Sequence, residues 1–268
     1  MTTGKQLELG FRTYFSAIRF IFSKGLWWAF FVPVILNILL FLGGYSVIES
    51  ITEYVKNRLL HLTGLDGADF FLSEYLTGFV SGIVWIFFKV LFFFVFAYYG
   101  GYIILIFLSP LFAYLSERTD EILTGKKFPF NPDRFMRDIV RGILIALRNL
   151  LIETGWMILL FFTGLIPIIG WFSAVALFVI SAYFYGFSFM DYTNERRKMK
   201  ISESVRFMRK HKWLVVVNGM VFCFFLLIPL CGVLLSGFAA IVSVVAATLA
   251  VHEIENTKSG PALNSSPC

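Results

Sequence analysis

The side chains best placed for chemistry in this sequence are a few polar ones set against long apolar stretches. Lys24 and Gly25 precede an uncharged run from Leu26 to Ile48 whose first aromatic residues are Trp27 and Trp28. That segment is either a membrane-surface anchor or the mouth of a site that handles an ion. Lys89 is the one formal charge between Gly78 and Leu115. A charge at mid-bilayer costs at least a few kcal/mol, so Lys89 either faces helices, water or a partner, or snorkels to an interface. Glu153 and Asp191 bracket a later apolar stretch and read as interfacial carboxylates, with a proton-linked role in transport as the sharper alternative. The amides of Asn37 and Asn218 read as helix-packing groups, with contact to a solute as the alternative.

Other chemistry has little footing. The cysteines (Cys223, Cys231, Cys268) and histidines (His61, His211, His252) form no C-x-x-C or H-E-x-x-H spacing, so no metal and no other cofactor is expected. Phosphate-binding loops and G-x-S-x-G elbows are absent too, and the chain reads as a non-enzyme. Its net charge of +6 sits in segments flanking apolar runs, where topology and anionic lipid account for it. Membrane lipid is therefore an expected partner and nucleic acid is not.

The elements that must position these residues are membrane helices. Of the 268 residues, 58% are hydrophobic and 15% charged, with a mean hydropathy of +0.79. Several runs reach the roughly 20 residues that cross a bilayer, and barrel-type alternation is absent, so the fold class is an all-α integral membrane protein. The first run is too long for a cleaved signal peptide and lacks an A-x-A site, so it reads as a retained span. Residues 5–22 form an amphipathic interfacial helix with Leu7, Leu9, Phe11, Phe15, Ile18 and Phe22 as its apolar residues. The stretch from Gly78 to Leu115 would extend about 57 Å, nearly twice the hydrocarbon thickness, so it either projects beyond the bilayer or bends near Gly100, Gly101 or Pro110.

A charged segment from Ser116 to Arg148 reads as an aqueous head built from helix extensions. Beyond it, Leu165-Ile166-Pro167-Ile168-Ile169-Gly170 recurs as Leu227-Ile228-Pro229-Leu230-Cys231-Gly232, each copy between two apolar arms. The pair form either two full hairpins, spanning 132–190 and 212–252, or two re-entrant ones. Basic residues of the amino terminus and of the 191–213 loop outnumber those of 49–77, placing both termini in the cytoplasm. Small residues at Gly78 and Gly82, and at Ala239, Ser243 and Ala247, mark faces suited to close helix contact. Residues 257–268 read as a disordered tail.

In order and spacing these features resemble the CysZ-type bacterial sulfate permeases, grouped with the etoposide-induced membrane proteins. The similarity is carried by Gly25, Pro33-x-x-x-Asn37, Ser109-Pro110-Leu111, Leu123-Thr124-Gly125, Ile166-Pro167-x-x-Gly170, Asp191-Tyr192, the basic Arg206–Lys212 segment and Ile228-Pro229. It implies a single membrane domain over 1–256, two long helices near 25–62 and 73–123, partly penetrating hairpins, homo-oligomeric assembly in the inner membrane and sulfate uptake for cysteine synthesis. It also makes Lys24, Gly25, Leu26, Trp27 and Trp28 the anion station, with Asn37, Lys89, Glu153 and Asp191 along a pathway. The sulfate-transporting branch carries two arginines after its glycine and aliphatic residue, where this chain has Trp27 and Trp28. Backbone N–H groups at a helix start would remain, but two charge-assisted bonds to a dianion are lost. A non-transporting membrane scaffold, or a transporter of another solute, sharing the fold is therefore the alternative reading.

Overall fold

The structure, a computed structural model, describes residues 1–63, 73–126, 131–228 and 232–259. All regular elements among them are helical: α1 (Thr3–Ser23), a short 3-10 turn (Trp27–Phe30), α2 (Phe31–Leu62), α3 (Ser73–Phe107), α4 (Ser109–Thr124), α5 (Pro132–Gly164), α6 (Pro167–Arg196), α7 (Ile201–Lys210), α8 (Lys212–Leu226) and α9 (Gly232–Ser259). Five helical stretches are long and apolar enough to cross a membrane, and a bent pair makes a sixth. The chain is an all-α, multi-pass membrane protein.

It divides into two compact units. Val34–Gly100 comprises most of α2 and α3, which meet where Gly44 and Tyr45 approach Phe92 and Lys89. Ile35, Ile38, Leu39, Phe41 and Leu42 on α2, like Phe79, Ile83, Ile86 and Phe87 on α3, are exposed. So large an uncovered apolar surface is stable against lipid and not against water.

The other unit holds Met1–Pro33 and Gly101–Cys268. Its centre is the crossing of α6 and α8, flanked by α5, α9, α1 and α4. A Cβ on Gly186 would overlap the Val215 carbonyl, and one on Gly219 would overlap the Ala182 carbonyl, so the two backbones are in direct contact. This is the small-residue packing that membrane helices use in place of a hydrophobic driving force. Of the faces expected from sequence, Ala239, Ser243 and Ala247 are buried, whereas Gly78 and Gly82 face open space.

Helix α1 has two faces. Leu9, Gly10, Thr13, Tyr14, Ala17 and Ile21 dock on α8 and α9, while Phe11, Phe15, Ile18 and Phe22 remain exposed, the disposition of an interfacial helix seated on its own protein. The Tyr14 hydroxyl donates to the Asn218 carbonyl and lies 2.6 Å from Ser243 Oγ; burial pushes this phenol above its ordinary range and keeps it protonated. Asn218 is thus a packing residue, its amide donating to the Ser243 carbonyl at 3.0 Å.

The hairpin apices explain the repeated glycine. A Cβ on Gly170 would stand 2.7 Å from the Gly164 carbonyl oxygen, and one on Gly232 would stand 2.9 Å from the Leu226 carbonyl oxygen. In both copies the returning helix starts against the last carbonyls of the arm before it. Pro167 occupies the first turn of α6, where its missing N–H costs nothing; Pro229 lies outside the described residues.

Three expectations are corrected. The 73–123 helix is two helices, with a 62° bend at Leu108. Pro110, in the first turn of α4, cannot donate to the helical ladder, and the axis breaks there. The basic 191–213 segment is no loop: α6 continues to Arg196 and residues 201–210 form α7, which buries Ser204 and Met208 and turns its cations outward. Finally, α9 extends to Ser259, so 257–259 belong to a helix; 260–268 lie outside the described residues.

Candidate functional site

Lys24 to Trp28 is built as the end of one helix and the start of the next. Gly25 has φ +71°, the left-handed conformation that glycine adopts without penalty, and stops α1. The Lys24 N–H donates to the Phe20 carbonyl and the Leu26 N–H to the Ile21 carbonyl, each at 2.9 Å, which closes the exposed carbonyls of α1. Two amides of the expected anion station are therefore engaged within the chain. The N–H groups of Trp27 and Trp28 stand at the first positions of the 3-10 turn, where helical backbone offers them no acceptor. Leu26 and Ala29 are buried beneath, and the Trp27 and Trp28 side chains are 51% and 40% exposed. Their rings lie against Phe31 and Tyr114, at 5.8 and 5.7 Å.

The two carboxylates are buried within the protein, each only 3% exposed. Glu153 on α5 accepts a hydrogen bond from Tyr102 of α3 at 2.5 Å and another from Ser181 of α6. No cation pairs with it among the described residues. Asp191 on α6 lies about 18 Å along the α5 direction from Glu153, one residue step being 1.5 Å and its partner Arg141 lying twelve residues earlier on α5.

Asp191 belongs to a charged cluster that sequence reading missed. Arg141 forks onto both of its oxygens at 2.9 and 3.1 Å and donates to the Met199 carbonyl at 2.7 Å, while Ser204 of α7 also donates to Asp191. Glu195 stands 3.5 Å from the same guanidinium. One turn on, Arg196 bonds Glu117 at 2.7 Å and the Ala113 carbonyl at 2.5 Å on α4, with Asp138 of α5 at 3.9 Å. Two guanidiniums thus hold together four carboxylates from α4, α5 and α6. The available signal was the spacing Asp138–Arg141 and Asp191–Glu195, which puts opposite charges on facing helix surfaces.

In the Val34–Gly100 unit, the Lys89 ammonium is enclosed 3.7 Å from the Tyr45 ring centroid and 5.7 Å from that of Trp85, with no hydrogen-bond acceptor among the described residues. It is therefore buried by aromatic faces, which stabilise a cation through their quadrupoles, and does not reach out to water. Asn37 of α2 is buried in the same unit. No group of three or more His, Cys, Asp or Glu suited to a metal occurs among the described residues.

The family described as sulfate transporter CysZ/etoposide-induced protein 2.4 matches residues 13–236. The chain belongs to this family. The match spans every expected site residue, from Lys24 through Asp191, and both hairpin apices. CysZ-like membership makes a membrane transport function the coarse assignment.

Proposed function

We propose that the protein is a CysZ-type anion transporter or channel of the inner membrane, with sulfate as its substrate and cysteine synthesis as the use of that sulfate. The family match over 13–236 carries the reading. An anion would meet Lys24 and the amides of Trp27 and Trp28, with Asn37 and Lys89 as candidate pathway residues of their own unit, in a homo-oligomer with cytoplasmic termini. The hairpins would penetrate only part way, as the resemblance implies; of their four arms α8 alone, with 15 residues and about 22 Å, is shorter than the roughly 30 Å of hydrocarbon. The interior Glu153 would keep the hairpin arms in register, and Asp191 would brace the head. Proteoliposomes containing the purified chain should take up labelled sulfate faster than empty vesicles; equal rates would overturn the assignment.

One observation favours a second reading. The chain spends the Lys24 and Leu26 amides on capping α1 and carries neutral indoles in place of two guanidiniums. A scaffold that shares the fold would use the tryptophans only as an interfacial anchor. Trp27→Arg with Trp28→Arg separates the two, because a preserved anion geometry should gain sulfate binding and a scaffold should not.

A further inference from the structure

Between α5 and the start of α7 lies an open groove of about 880 Å³, within the size range of ligand sites. Its floor is neutralised internally, since Arg141 is committed to Asp191 and Glu195. Its rim is not: Arg137, Lys200 and Asp133 line the groove and enter no ion pair among the described residues. The remaining wall is apolar. Met136, Val140 and Leu144 follow one another at four-residue spacing on α5 and are 58%, 47% and 55% exposed. The stripe continues through exposed Leu147 and Leu151 toward the apolar end of that helix, where no charge follows Glu153.

A small inorganic anion would need the cations but neither the carboxylate nor the apolar wall. A molecule with a phosphate, an N–H-bearing ammonium and a hydrocarbon chain uses all three. We propose that this groove binds a phospholipid with a zwitterionic, primary-amine headgroup, the phosphatidylethanolamine class. Its phosphate accepts from Arg137 and Lys200, its ammonium donates to Asp133, and its acyl chain lies along Met136, Val140 and Leu144 toward the membrane. The choline analogue keeps the charges but has no N–H to donate, and the glycerol analogue has no cation for Asp133.

Native mass spectrometry of the full chain in detergent, titrated with phosphatidylethanolamine, phosphatidylcholine and phosphatidylglycerol of equal chain length, tests this. The first should be retained about 5-fold more than either other, as loss of one charge-assisted hydrogen bond requires. Arg137→Gln with Lys200→Gln should lower its retention about 10-fold or more. Asp133→Asn, a single exposed change, should abolish the preference for the ethanolamine lipid while leaving phosphate-dependent binding, and it serves as the reading if the double variant melts early. Chain-free glycerophosphoethanolamine should not compete. Equal retention of the three lipids, an unchanged Asp133→Asn profile, or competition by the chain-free headgroup would each overturn the proposal.

Discussion

Replacing Arg141 with glutamine should be among the most destabilising single changes in the head. The Arg141 and Asp191 side chains are 15% and 4% exposed, so their pairing is largely removed from water. Deleting one partner of a buried, hydrogen-bonded pair costs about 3–5 kcal/mol, mostly from the charge left behind. Here the loss strands Asp191 with only its Ser204 hydroxyl, frees the Met199 carbonyl, and leaves four carboxylates around Arg196 alone. Asp191→Asn should cost less, about 1–3 kcal/mol. Asparagine still accepts from Ser204, and Arg141 keeps Glu195 and the Met199 carbonyl. The double change should recover about 2 kcal/mol relative to the sum of the two, the coupling expected of directly bonded groups. Equilibrium unfolding in mixed micelles, titrated with sodium dodecyl sulfate, reads all three values. A cost under about 1 kcal/mol for Arg141→Gln, or a larger cost for Asp191→Asn, would refute the account.

Other positions give contrasting expectations. Gly186→Ala and Gly219→Ala drive a methyl into the facing backbone and should each lose about 3 kcal/mol or prevent folding, whereas Gly78→Ala, with open space at its Cβ, should gain about 0.5–1 kcal/mol, all read by thermal melting in detergent. Gly25→Ala forces a Cβ into the left-handed region and should cost about 1–2 kcal/mol by the same measurement. Lys89→Met should leave stability unchanged or raised, because the ammonium has two aromatic faces but no acceptor to lose; a large drop in melting temperature would contradict the geometry around Tyr45.

Much of this architecture was legible because it depends on local chemistry. Prolines and glycines at 165–170 and 227–232 announce reversals, Gly125 ends α4 with φ +70°, and Asn131 caps α5 by accepting from the Arg134 N–H at 3.0 Å. The bend at Leu108 is the Pro110 alternative that the length of the 78–115 stretch offers. What stayed hidden depends on which face of an apolar helix meets protein and which meets lipid. Along α6 and α8 nearly every residue is apolar, so periodicity carries no direction, and the Gly186–Gly219 contact is invisible from pattern alone. The partners of Glu153 and Asp191 stayed hidden for the same reason, because Tyr102, Ser181 and Arg141 come from 51, 28 and 50 residues away.

The two hydroxyls that meet Glu153 have a consequence for how the bundle assembles. Tyr102 and Ser181 come from different helices, and each reaches the carboxylate only in one longitudinal setting of α3, α5 and α6. Sliding α3 past the other two by one helical turn, about 5.4 Å, keeps greasy surface against greasy surface. It would also strip a buried carboxyl group of its donors. Glu153 thus acts as a detent for α3, penalising the mis-slid bundles that uniform apolar packing would leave nearly degenerate.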